Sequence, residues 1–180
     1  MITTATTDTP RAWVGCLGCY NDGDLVGRWL DDPDDIRSYR CPRPATIYNF
    51  HEELWVFDHE NAPWLTGECS PGEFADRAEA WTAATEDLDP VVVGAYVSNL
   101  GIDDVDWDTL ADDVTEAYAG AYDSLADWAY ELAHETTENL DDHPFASYID
   151  WAAVGRDARL GGDIWTHETG GTVHVFWSNR

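Results

Sequence analysis

Residues 109–139 read TLADDVTEAYAGAYDSLADWAYELAHETTEN, and their periodicity decides the class of fold. From Thr109 to Gly120 the apolar positions Leu110, Val114 and Tyr118 fall every fourth residue, which predicts a helix with one buried stripe. Leu125, Trp128 and Leu132 repeat the pattern and predict a second helix from Ser124 to about Asn139, capped by Asp123 or Ser124. Downstream, Asp150 precedes WAAVGRDARL as the cap of a further helix. DIWTHE and TVHVFW then flank TGG and predict a closing β-hairpin. Helical and strand periods therefore alternate within one region, and the class is α+β.

The N-terminal half reads the same way. AWVGCLG (12–18) has strand-like β content, YNDGDLVG is a turn-rich loop, and Asp34 to Arg40 is a short helix that stops before CPRP. ATIYNF and ELWVFDHE alternate as strands. Ser70-Pro71-Gly72-Glu73 has capping-box spacing with proline at the first helical position, so a helix runs to about Thr85. DPVVVGAYVSNLG predicts another, ended by Gly101, with a strand reading of VVV left open. The expected organisation is a disordered tail over 1–10 and an α+β subdomain over 11–69. A small helical subdomain over 70–102 and an acidic α+β subdomain over 103–180 follow, in an elongated chain with a strongly acidic surface.

Among 180 residues, 36 acids face nine bases for a net charge of −27, all the bases being arginine. Hydrophobic content of 44 %, with ten Trp, is too high for a disordered acidic tail. Phosphates repel such a chain, so direct nucleic-acid binding is disfavoured and a basic partner is favoured. The N-terminal MITTATTDTP has neither a basic nor an apolar run, so it is no signal peptide, and VVVGAYV is too short to span a bilayer. The expected location is the cytoplasm, with no membrane partner and with the four cysteines as thiols.

Motifs for chemistry fail one by one. YNDGDLVGRWLDD lacks the acid spacing of a calcium loop, and Gly23-x-x-x-Gly27 has no lysine after it to make a phosphate loop. There is no GxSxG or HExxH, and His51, His59, His134, His143, His167 and His174 are scattered. Cys16-x-x-Cys19 is a lone pair, with Cys41 and Cys69 too far apart to form a second one, so buried core cysteine is the better reading than zinc. No catalytic residue, metal site or cofactor is expected.

What stands out is where the charge lies. Residues 78–155 carry 19 acids and no arginine, whereas residues 1–77 carry 14 acids against six arginines and residues 156–180 three of each. A salt-adapted proteome would spread its acids more evenly. The candidate partner-binding carboxylates are Asp103, Asp104, Asp106, Asp108, Asp112, Asp113, Glu116, Asp123, Asp127, Glu131, Glu135 and Glu138. At duplex density, about one charge per ~1.7 Å, the net charge corresponds to ~46 Å or ~13 base pairs, which suits imitation of DNA.

Four stretches in series also resemble the ArdA-type antirestriction proteins. YNDGDLVGRW matches a Y-N-x-G-x-x-x-G-x-W motif through Tyr20, Asn21, Gly23, Gly27 and Trp29. EELWVFDHE is similar to the strand that follows, with its D-x-E ending at Asp58 and Glu60. AYAGAYDSLADWAYEL matches through Tyr118, Gly120, Tyr122, Ser124, Asp127 and Trp128, and YIDWAAVGRDARLGGDIW resembles the closing module. The resemblance implies an elongated homodimeric DNA mimic of three subdomains, without catalysis or cofactor, that occupies the DNA-binding groove of type I restriction–modification enzymes. It places dimerisation in the C-terminal part, where Trp165, Phe176 and Trp177 accompany zero net charge. The other readings are a salt-adapted acidic enzyme or scaffold, and an acidic module for another basic protein.

Overall fold

The computed structural model describes residues 9–47 and 50–178, which divide into two compact units, one ending at Ala111 and the other beginning at Asp112. Of the tail expected over 1–10, positions 1–8 lie outside the described residues. Pro10 is buried, and the Thr9 carbonyl accepts a hydrogen bond from Asn61 Nδ2 at 3.3 Å.

The first unit opens with strand β1 (Arg11–Cys16), a five-residue helix α1 (Leu17–Asn21), strand β2 (Gly27–Leu30) and helix α2 (Pro33–Ser38). Strand β3 (Leu54–Glu60) completes an antiparallel sheet of order β2-β1-β3. Pleating sorts the side chains: Ala12, Val14 and Cys16 are buried together with Leu30 and Val56. Trp13, one residue out of phase, meets Phe57 edge-on at 5.8 Å. Four residues are too few to show alternation, so β2 had no counterpart in the sequence reading. The strand expected at ATIYNF is absent from its described residues, 48–49 lying outside them, and Ile47 and Phe50 are exposed. β1 is bonded on both sides and Cys69 bridges β3 at Val56, which leaves the outer edge of β2, and the described residues of that segment do not pair with it.

Helix α3 (Pro71–Asp87) begins where its cap predicts, with the Glu73 N–H donating to Ser70 Oγ at 3.2 Å. The reciprocal half of the box does not form, because the Glu73 carboxylate turns instead to Arg77 at 2.7 Å. Phe74, Ala75, Ala78, Trp81 and Ala84 make its buried stripe. Helix α4 (Pro90–Leu100) starts at the Asp89 cap and stops at Gly101, so VVV is helical.

Helix α5 (Leu110–Ala117) ends three residues before the expected Gly120, and Tyr118–Tyr122 forms strand β4 instead. Gly120 takes φ 135, a value foreign to helices. The Tyr118 hydroxyl bonds His174 Nδ1 at 2.9 Å, and its ring lies 5.2 Å from that of Phe176. Leu110 and Val114 form the buried stripe of α5 as expected, and sheet pairing takes over at Tyr118, a β-prone residue that continues the four-residue spacing only by coincidence.

Helix α6 (Leu125–Thr136), capped by Ser124, and helix α7 (Trp151–Gly161), capped by Asp150, are joined through 3-10 turns at Leu140–Asp142 and Ala146–Tyr148. Strands β5 (Ile164–Thr169) and β6 (Thr172–Trp177) form the expected hairpin, with Gly170 and Gly171 at φ 59 and 88 as a two-residue loop demands. The sheet runs β4-β6-β5, all antiparallel. Trp128, Ala129, Ile164 and Val175 are its buried centre, with Leu125, Leu132, Trp151 and Trp177 packed around them. Mixed helices on antiparallel sheets confirm the α+β class. Among the described residues no helix is long and apolar enough to cross a membrane.

Candidate partner-binding surface

The twelve carboxylates are distributed over both units. Asp103, Asp104, Asp106 and Asp108 belong to the first, in the turn-rich segment between α4 and α5. Asp112, Asp113 and Glu116 lie on α5, Asp123 precedes the α6 cap, Asp127, Glu131 and Glu135 lie on α6, and Glu138 follows it. All are exposed except Asp113, which is half-buried.

The clearest geometry is on α6. Trp128 and Ala129 turn into the core, which leaves Asp127, Glu131 and Glu135 at successive four-residue steps on an exposed face. Those steps rise ~6 Å each, so the stripe spans ~12 Å. Burial first, then the charges of Glu131 and Glu135, raise the phenol pKa of Tyr122. Several of the described arginines pair with other acids: Arg37 with Asp34, Asp76 and Glu79, Arg43 with Asp24, Arg77 with Glu73, and Arg159 with Glu168.

Some of these acids also shape the chain. Asp127 donates its N–H to Ser124 Oγ at 3.2 Å and accepts the Ser124 hydroxyl through Oδ2, so it completes the cap of its own helix. The Asp106 carboxylate accepts the Asp108 N–H at 3.1 Å. Asp112 and Asp113 sit in the first turn of α5 and Asp127 in that of α6, where the helix dipole favours negative charge.

The neutral C-terminal aromatics are largely spoken for within their own unit. Phe176 is fully buried, Trp165 stacks on it with ring centroids 4.0 Å apart, and Trp177 meets Trp128 edge-on at 5.9 Å. Beside them an apolar groove between α6 and α7 is lined by Leu132, Ala133, Val154, Ala158 and Trp177.

Three of the four cysteines meet in space. Cys41 is brought to the Cys16/Cys19 pair and His51 joins them, the four ligating atoms lying within 4.8 Å of one another. Cys69 stays outside this group, and all four cysteines are free thiols. Burial first, then its thiol neighbours Cys16 and Cys41, push the Cys19 thiol up to about 12. The signal available in sequence was the lone CxxC; Cys41 lies 22 residues beyond Cys19 and carries no local mark.

A protein-family model described as Antirestriction protein (ArdA) matches residues 12–173 of the chain. No curated protein matches it.

Proposed function

The chain belongs to the ArdA antirestriction family, and from that premise we propose that it is a DNA mimic of type I restriction–modification enzymes. It occupies the DNA-binding groove of the methyltransferase core and inhibits by competition, without catalysis or cofactor. The observation that carries this reading is the exposed stripe Asp127, Glu131 and Glu135 on α6, within a run of 78 residues that holds 19 acids and no arginine. A groove built to neutralise phosphates with Lys and Arg meets there the charge it was shaped for, and association is fast and salt-dependent.

The working unit is a homodimer. One chain matches only ~13 base pairs at duplex charge density, and two chains double that length. The apolar groove between α6 and α7 supports a neutral seam near the C terminus, although Phe176, buried in its own core, contributes nothing to it.

Competition is tested by mixing the protein with a type I methyltransferase core and titrating cognate duplex. The apparent Kd for DNA rises in proportion to the protein added, and no cleaved or modified DNA appears. A ternary complex at saturating protein, with DNA affinity unchanged, would sink the proposal. Sedimentation at micromolar concentration tests the dimer.

A further inference from the structure

Three segments of the first unit converge on one small volume. Cys16 ends β1, Cys19 lies in α1, and Cys41 and His51 come from the connection between α2 and β3, whose described residues form neither helix nor strand. Cys19 Sγ stands 3.7 Å from Cys41 Sγ, and His51 Nδ1 stands 3.5 Å from Cys16 Sγ and 3.2 Å from Cys19 Sγ. Cys16 and Cys19 are buried, while Cys41 and His51 are half-buried.

The geometry points to a structural zinc site ligated by Cys16, Cys19, Cys41 and His51. Zinc–sulfur bonds of about 2.3 Å and zinc–nitrogen bonds of about 2.0–2.1 Å give tetrahedral edges of ~3.8 Å between sulfurs and ~3.6 Å between sulfur and nitrogen. Two of the three distances above match those edges to within about 0.1 Å, and the third needs only a small outward shift of the imidazole. Three thiolates and one imidazole form a Cys₃His set, and four protein ligands leave no open position, so the site is structural rather than catalytic.

Other features agree. His51 adopts φ 56, a conformation uncommon for a residue with a β-carbon, and in it the Nδ1 edge of the ring faces the thiols. Three thiolates around Zn²⁺ leave one net negative charge. Arg43, paired with Asp24 at 2.8 Å, places a cation near enough to feel Cys19 and Cys41. On binding, three thiol protons leave to solvent and the neutral imidazole coordinates through Nδ1. The bound ion fastens a segment that no strand or helix holds to the end of β1. This inference is independent of DNA mimicry.

Full-length protein purified without chelator tests it by metal analysis, expected to find about one zinc per chain. Cys41→Ser and His51→Ala lose that zinc, whereas Cys69→Ser, outside the cluster, retains it. Because a ligand variant can fail by misfolding, the unaltered chain is also stripped and titrated with Co²⁺. Thiolate-to-cobalt charge transfer with strong tetrahedral ligand-field bands is expected, and zinc abolishes both. Weak octahedral bands without charge transfer would assign the metal to surface carboxylates and overturn the site. A disulfide among Cys16, Cys19 and Cys41 in protein purified under reducing conditions would overturn it too.

Discussion

Among the described residues, Arg37 is the one on which most opposite charge converges. Its guanidinium on α2 reaches Asp76 at 2.7 Å and Glu79 at 2.9 Å on α3, with Asp34 at 3.6 Å. Hydrogen bonding to Arg37 holds the Glu79 carboxyl below its ordinary 4.5. A depressed folded-state value contributes stability that is complete above that ordinary value and lost as pH falls through the lowered one. Arg37→Gln is therefore expected to lower the Tm at neutral pH, the deficit shrinking in acid across a pH series of thermal melts. His134 works with the opposite sign. Its Nε2 meets Asp141 at 3.0 Å and its Nδ1 meets the Tyr130 carbonyl at 2.8 Å, so both nitrogens face acceptors and the cation is favoured. Asp141 chiefly raises its pKa above 6.5, so this contribution is full below about that pH and disappears as pH rises through the raised value. Asp141→Asn should cost Tm at pH below about 6 and little at pH 8, and an NMR titration should return His134 toward 6.5.

Elements declared themselves in the sequence where a local signal was sufficient. Ser70 and Asp150 cap their helices as read, and the Gly170-Gly171 turn closes its hairpin, because caps and two-residue turns are contacts between near neighbours. The misreadings needed distant partners. β4 exists because β6 runs beside it, whereas ATIYNF, although it alternates, pairs with no strand in its described residues. The same holds for the sites: exposure of the α6 acids followed from periodicity, whereas the meeting of Cys41 and His51 with the CxxC pair followed from nothing local. Helix packing supplies its own test. A β-carbon at Gly155 of α7 would stand 2.5 Å from the Leu125 carbonyl oxygen, backbone that has no room to yield. Gly155→Ala should destabilise by about 1–3 kcal/mol in urea unfolding. At Gly161, where the nearest atom is Asp163 Oδ2 at 3.6 Å, the same change should be neutral or mildly stabilising.

For the whole molecule, the proposed mimicry sets charge against folding. Glu116, Glu131, Glu135 and Glu138 lie outside the first turns of their helices, so replacing all four by Gln removes repulsion without removing caps. The variant should be more stable, by a few tenths of a kcal/mol per relieved pair, yet inhibit a type I enzyme about tenfold less, with shallower salt dependence. Lower stability together with lower inhibition would indicate a folding defect instead. The two sheets extend this opposition to solubility. Each contains only three strands, so β2 and β5 are outer strands that present backbone donors and acceptors along one margin. In a chain of net charge −27, mutual repulsion opposes the zippering of copies along those margins. That protection is titratable. Near the sequence pI of about 4.1 it fades, and turbidity with thioflavin binding is expected to rise there and fall again on return to neutrality. The acidity on which the proposed mimicry of a nucleic acid rests thus also keeps copies of the chain apart, and it does so only where the carboxylates stay ionised, well above the pI of about 4.1.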